Sequence, residues 1–276
     1  MTHSFNKPLS CPRFFLFFFQ ACLLTFLISG CAKKPWKDRL EDEQYKGAYS
    51  LAEQILIENR GCEKGLRADL LLQYTTPVDT ARLSGFLLYS PPTSYKFVVS
   101  NPLGQPVFLI AGNQKKYQYI NTLEQMFIAG GMTSFALRNK LPIHFMQGRW
   151  YDWLTGKNTI PLERLTDLHT DGEERGIWMT FEDGSGAGNI SHILVDPERH
   201  TIRVHLLETA KKKPLARIEY DDYMEIDGCR QPRTVSVSGL PYGTQITLEL
   251  SRIEFFERPA NYNLKPPRGY LQQYRP

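Results

Sequence analysis

The 276-residue chain predicts a mainly β (α+β) protein, a large antiparallel sheet curled into a barrel with helices plugging or lidding it. Three observations predict this. About a dozen short runs rich in β-branched and aromatic residues follow one another, with turn residues between them. One helix-like interruption splits those runs, and one amphipathic helix precedes them.

The first 30 residues are read apart from the fold. Lys7 and Arg13 sit among residues 1–13 without an acid, residues 14–28 are almost wholly apolar, and Ser29-Gly30 leads into Cys31. That is the order of a secretory signal: basic region, apolar region, small-residue cleavage site. The apolar run is about 15 residues, short of the ~20 that a bilayer core requires of a helix. A cysteine directly after the small residues resembles the bacterial lipobox. The resemblance implies cleavage after Gly30 and lipidation of Cys31, with residues 31–37 as a polar tether.

Loss of Lys7 and Arg13 with the signal takes the formal charge from +4 to +2. A surface so near neutral argues against nucleic acid as a partner, since phosphate binding requires a basic stripe or patch. Lys211-Lys212-Lys213 is the one concentrated charge and reads as a solvated turn between strands. Of the 16 Phe, 14 Tyr and 4 Trp, the signal takes several Phe, and the rest supply the apolar surface for a large core. Of five cysteines, Cys11 and Cys22 leave with the signal. With Cys31 lipidated, Cys62 and Cys229 are left in an oxidising compartment, either bridged or as separate thiols.

Residues 38–59 read as an amphipathic helix, with Leu40, Tyr45, Tyr49, Ala52, Ile55 and Leu56 at helical spacing and Arg60-Gly61 as its stop. Its polar face is acidic, so it packs on its own domain and not on a membrane. Strand runs follow at 66–74, 81–89, 94–100, 105–111, 115–121 and 124–128. Several, such as Phe97-Val98-Val99 and Val107-Phe108-Leu109-Ile110, are apolar on both faces and need cover on two sides. Helix-like segments at 132–140 and 144–154 are the expected source of that cover. Strands resume at 164–169, 176–182, 190–195, 201–207, 216–220, 233–238 and 244–255. The domain is thus expected over 38–257, and 258–276, with Pro266-Pro267 and no period, reads as an extended tail.

Catalytic constellations are missing from the pattern. His144, His169, His192, His200 and His205 show no HExxH spacing, and no paired CxxC occurs, so a metal site has no support. Gly184-Ser185-Gly186-Ala187-Gly188 lies between two strands and has Asn189 where a dinucleotide motif places its third glycine, which makes it a hairpin loop. Gly156-Lys157-Asn158 lacks the Ser/Thr of a phosphate loop, and Asp221-Asp222 reads as a turn. The pattern is that of a binder with no cofactor, not of an enzyme.

Residues 83–156 resemble the LolB family, outer-membrane lipoproteins that receive other lipoproteins from a periplasmic carrier. The resemblance is carried by the strand Tyr95-Lys96-Phe97-Val98-Val99-Ser100 running into Asn101-Pro102-Leu103-Gly104. A second match is Leu141-Pro142-Ile143 followed by Arg149-Trp150 and Trp153-Leu154-Thr155-Gly156, similar to the family's proline-started helix. Gln231-Pro232-Arg233 before a strand is similar to the family's closing region. Residues 158–214 are longer than in the family, and the tail from Arg258 has no counterpart there.

The resemblance implies an open, unclosed antiparallel barrel of about 11–13 strands with an N-terminal helix and a helical lid. It implies a cavity for acyl chains, walled by Phe86, Leu88, Phe97, Val99, Phe108 and Ile110, with Phe145, Trp150 and Trp153 from the lid. Which strand face points inward is left open. It places membrane insertion on the loop Asn101, Pro102, Leu103, Gly104, with Leu103 protruding. The implied partners are a periplasmic lipoprotein carrier (LolA-like), acylated lipoprotein cargo, and the membrane through Cys31, for a monomer facing the periplasm from the outer membrane. Ala32, rather than an aspartate, after the lipidated cysteine agrees with that location. The competing expectation is a lipid-sensing or scaffold lipoprotein that uses the same cavity to regulate a partner.

Overall fold

Alternation of apolar and polar residues sets the sheet, because each strand must turn one face to the core. A computed structural model describes residues 34–138, 150–182, 188–257 and 262–275. The signal, Cys31, Phe145 and most of the glycine loop lie outside the described residues. Among the described residues the order begins β1 (Trp36–Arg39), α1 (Asp42–Gly61), β2 (Gly65–Thr75), β3 (Thr80–Ser90), β4 (Ser94–Ser100) and β5 (Pro106–Gly112). It continues with β6 (Lys116–Asn121), β7 (Met126–Gly131), α2 (Met132–Arg138), α3 (Trp150–Thr155), β8 (Leu165–Asp171) and β9 (Ile177–Glu182). The rest are β10 (Ile190–Asp196), β11 (Thr201–Glu208), β12 (Pro214–Ile226), β13 (Cys229–Ser238), β14 (Gln245–Phe256) and β15 (Leu271–Arg275).

All fifteen strands form one sheet, ordered β1-β8-β9-β10-β11-β12-β13-β14-β2-β3-β4-β5-β6-β7-β15. Neighbours are antiparallel except β15, which runs parallel to β7. The sheet is open, with β1 and β15 as its two edges. The thirteen strand runs expected from the sequence correspond to β2–β14, and the two edge strands are additions. Backbone pairing to an edge leaves little trace in a short sequence, so Trp36–Arg39 was expected as tether and helix, and Leu271–Arg275 as tail. For the same reason the helix begins later than expected. Leu40 fits the helical spacing, but its backbone N–H donates to the Leu168 carbonyl at 2.9 Å and its side chain is buried beyond the end of β1.

Helix α1 buries Ala48, Ala52, Ile55 and Leu56, an i, i+4, i+7, i+8 stripe. Asp42 and Glu43 in its first turn and Arg60 in its last complement the helix dipole. The stripe joins the main core with Leu66, Ala68 and Leu70 of β2 and Leu87 and Tyr89 of β3. That core makes Trp36–Pro276 one compact unit, the condition for folding alone. Cys62, at the helix exit, is bonded to Cys229 at the start of β13, with Cα atoms 5.7 Å apart.

Cover for the doubly apolar strands comes from an unexpected place. Leu264 of the C-terminal segment is buried against Ala111, Ile120 and Phe127 on the outer face of β5–β7, and its N–H donates to Gln118 Oε1 at 2.8 Å. The tail is therefore a strap that crosses this outer face before adding β15 to the edge. The helices cover the inner face.

Candidate functional site: an apolar cavity beside a row of exposed turns

Helix α1 packs on one half of the sheet's inner face and leaves the other half open. On β2, Leu66, Ala68 and Leu70 join the core, whereas Leu72, further along the same face, lines a cavity of about 260 Å³. On β14, Leu250 is core, Leu248 belongs to the core and also lines the cavity, and Ile246 lines it nearer the strand end. Register explains the grouping. Leu72 lies opposite Leu248 and Leu248 opposite Val235, so three cavity residues stand side by side across three strands. Phe97, Ile110 and Tyr119 form a second such row across β4, β5 and β6, and Val99 with Phe108 forms a third. The sheet curls enough for Ile218 of β12 to share the same cavity with Tyr95 of β4.

Of the expected wall residues, Phe97, Val99, Phe108, Ile110, Trp150 and Trp153 line the cavity. Phe86 and Leu88 do not. They alternate with Leu87 and Tyr89, which are fully buried in the core, so on β3 the inward-facing pair is not the one expected as wall. A one-residue change of parity moves a side chain to the opposite face, and β3 is apolar on both. The walls on β12, β13 and β14 were not foreseen. Their alternation (Val235, Val237 and Ile246, Leu248) was legible, but not which distant strands would close on β4 and β5.

The cavity presents almost no polarity. Its heteroatoms come from Tyr95, Tyr117, Tyr119 and the indoles, and burial pushes the phenols of Tyr95 and Tyr119 up, so they stay neutral. Tyr95 tilts against Phe97 at 5.8 Å between centroids and Tyr117 against Phe135 of α2 at 4.8 Å. A space with this lining excludes charged or strongly hydrogen-bonding ligands and accepts hydrocarbon.

The tryptophan-bearing helix α3 is held from below by buried polar groups. The Asp152 carboxylate, 2 % exposed, accepts from the Thr159 hydroxyl at 3.1 Å and from its N–H at 3.3 Å. Gln231 Nε2 donates to the Leu154 carbonyl at 3.3 Å. Tyr151 Oη and Lys157 Nζ both donate to the Cys62 carbonyl, the latter at 2.6 Å. Burial pulls Lys157 down to about 8, against the opposing charges of Asp152 and Glu63. After α3, Gly156 turns the chain at φ 60°, and a Cβ there would stand 2.4 Å from Tyr223 Oη. Trp150 and Trp153 thus stand on the cavity, and Gly156 stands where no side chain fits. Trp150 and Trp153 contact each other at 5.6 Å.

The loop Asn101-Pro102-Leu103-Gly104 is the turn between β4 and β5. Asn101 Oδ1 accepts from the N–H groups of Leu103 and Gln105, both at 3.0 Å, and Gly104 adopts φ 79°. The side chain of Asn101 ties the turn to itself, and Leu103 is left 83 % exposed. His200 sits in the turn before β11 at φ 49°, with Nδ1 3.1 Å from Glu58 Oε1. Among the described residues no group of three or more His, Cys, Asp or Glu is arranged to hold a metal ion. Among them, too, no helix is long and apolar enough to cross a membrane.

No family model matches the chain, and no curated protein matches it by sequence. Among solved structures it is similar to a LolA superfamily protein from Nitrosomonas europaea at 12 % identity, with 77 % of this chain and 94 % of that one covered and a TM-score of 0.49. It is also similar to a DUF1329 family protein from Desulfovibrio piger at 13 % identity, with 78 % and 94 % covered and a TM-score of 0.49.

Proposed function

We propose that this protein is a lipoprotein acceptor of the LolB type. It takes the acyl chains of other lipoproteins from a LolA-like periplasmic carrier into its cavity and passes them into the outer membrane. In this reading Cys31 carries the lipid that anchors the chain, the domain faces the periplasm as a monomer, and Leu103 enters the bilayer to assist release. The observation that carries the reading is the cavity of about 260 Å³, walled by aliphatic and aromatic side chains from seven strands, α2 and α3. It lies just under the ~300–1,000 Å³ typical of small-molecule clefts. Baring an acyl chain of ~16 carbons to water costs roughly 13 kcal/mol at ~0.8 kcal/mol per methylene, so a soluble intermediate state needs such a lining.

The test is Leu103→Glu. The side chain is 83 % exposed, so the variant keeps its fold and its affinity for acylated cargo, while transfer of cargo into vesicles stops. Full transfer by the variant removes the role of Leu103. In cells, depletion of the protein leaves other lipoproteins stranded short of the outer membrane. Unchanged sorting after depletion removes the acceptor reading itself.

A further inference from the structure

Five turns whose residues are all described lie at one end of the sheet, as pairing of their flanking strands requires: 76–79, 101–105, 122–125, 209–213 and 239–244. The three most exposed large apolar side chains of the described residues, Val78, Leu103 and Leu123, stand on the first three, at 94, 83 and 78 %. Tyr242, 70 % exposed, stands on the fifth and holds φ 61°. A tyrosine in that left-handed region costs energy without a core contact to offset it, which marks the position for something other than folding. The fourth turn carries Lys211, Lys212 and Lys213, all exposed, and none makes an ion pair among the described residues. The turns at the opposite end, 91–93, 113–115, 172–176, 197–200 and 227–228, carry no exposed large apolar residue. The cavity lies in the half of the sheet nearest the apolar turns, since Leu72, Ile246 and Val237 are close to the strand ends that bear them.

We propose that this whole end is a docking face for an anionic phospholipid bilayer, with the apolar tips entering the acyl boundary and the lysine turn lying on the headgroups. A bilayer suits the pattern better than a protein does. The apolar residues are single side chains on separate tips, whereas a protein interface needs a contiguous, packed apolar centre. Three lysines face two carboxylates, Asp79 and Glu124, in these turns, and the lysines are concentrated on one of them. The proposal rests on the acceptor reading and deepens it. Leu103 becomes one contact of several, and the cavity stands end-on to the membrane that receives its contents.

The experiment uses residues 32–276 without lipid, which contain the compact unit, and sedimentation with phosphatidylcholine vesicles with or without phosphatidylglycerol. Binding is expected to the anionic vesicles and to weaken with salt. The triple variant Lys211→Ala, Lys212→Ala, Lys213→Ala should bind them on the order of 100-fold more weakly, at ~1 kcal/mol per lysine. Val78→Asp and Leu123→Asp should also weaken binding. Tyr242→Asn, which suits its backbone, should do so without loss of thermal stability. Ile57→Asp, on the exposed face of α1, should bind as the parent does. No vesicle binding by the parent, or equal binding by all variants, overturns the proposal and leaves these turns to a protein partner. Fatty-acid titration of the same samples separates the two claims. Rim-dependent vesicle binding without acyl binding defeats the acceptor reading and keeps the docking face, and acyl binding with rim-independent vesicle binding does the reverse.

Discussion

Val237→Phe fills the cavity from within. Val237 lines it from β13, opposite Ile246, with open space ahead of its side chain. The change adds about four carbons, which displace about four methylenes of a bound chain. At ~0.8 kcal/mol per methylene the loss is roughly 3 kcal/mol, or on the order of 100-fold in affinity. Overpacking a closed core costs about 1–3 kcal/mol, but a void of about 260 Å³ takes the ring without that strain. The melting temperature therefore stays near that of the parent while affinity falls. The assay is titration with a fluorescent fatty acid and its displacement by palmitate, alongside thermal unfolding. Unchanged affinity in a folded variant refutes the assignment of this space to acyl chains.

Reduction of the Cys62–Cys229 bond, or Cys229→Ser with Cys62→Ser, should lower stability by about 2–5 kcal/mol, because the bond closes a separation of 167 residues in the unfolded chain; denaturant titration measures it. Burial alone would raise the Asp171 carboxyl, but hydrogen bonds from Arg175, Trp178 and two backbone N–H groups outweigh it and hold it at about 2. Its folded value lies below its ordinary 3.8, so about 2 kcal/mol of stability is present above pH 3.8 and is lost as pH falls toward 2, a slope that Asp171→Asn should remove. Lys157 has the opposite consequence. Its folded value, about 8, lies below the usual 10.5, so the unfolded chain binds more protons in between and stability should rise from pH 8 toward pH 10. Above pH 10 the buried tyrosines reverse the slope, since the unfolded chain then releases phenolic protons that Tyr89 and Tyr151 keep when folded. Lys157→Met should flatten the rise, read as denaturation midpoints across that range.

Much of the fold was legible because the strands β2–β14 carry their own pattern. Period-two alternation, aromatic and β-branched content and Gly/Pro/Asn turns mark each one locally. The two edge strands were not legible. Trp36–Arg39 and Leu271–Arg275 are defined by the neighbours they pair with, β8 and β7, not by composition. Within the cavity, Phe97, Val99, Phe108 and Ile110 came from the resemblance, and they stand on the inward face of β4 and β5, a face that these doubly apolar strands do not themselves reveal. Phe86 and Leu88 were misassigned because β3 is apolar on both faces, and only packing under α1 selects Leu87 and Tyr89 as the inner pair. Leu103 was marked by its turn. Val78, Leu123 and Tyr242 were passed over, because their shared end emerges only when the strands are paired.

The most direct test of the central claim is native mass spectrometry of the unlipidated chain after co-expression with an acylated lipoprotein. The account predicts a one-to-one complex whose cargo retains its acyl chains, and loss of that complex in Val237→Phe. An unliganded parent chain, or a complex that survives equally in Val237→Phe, contradicts it.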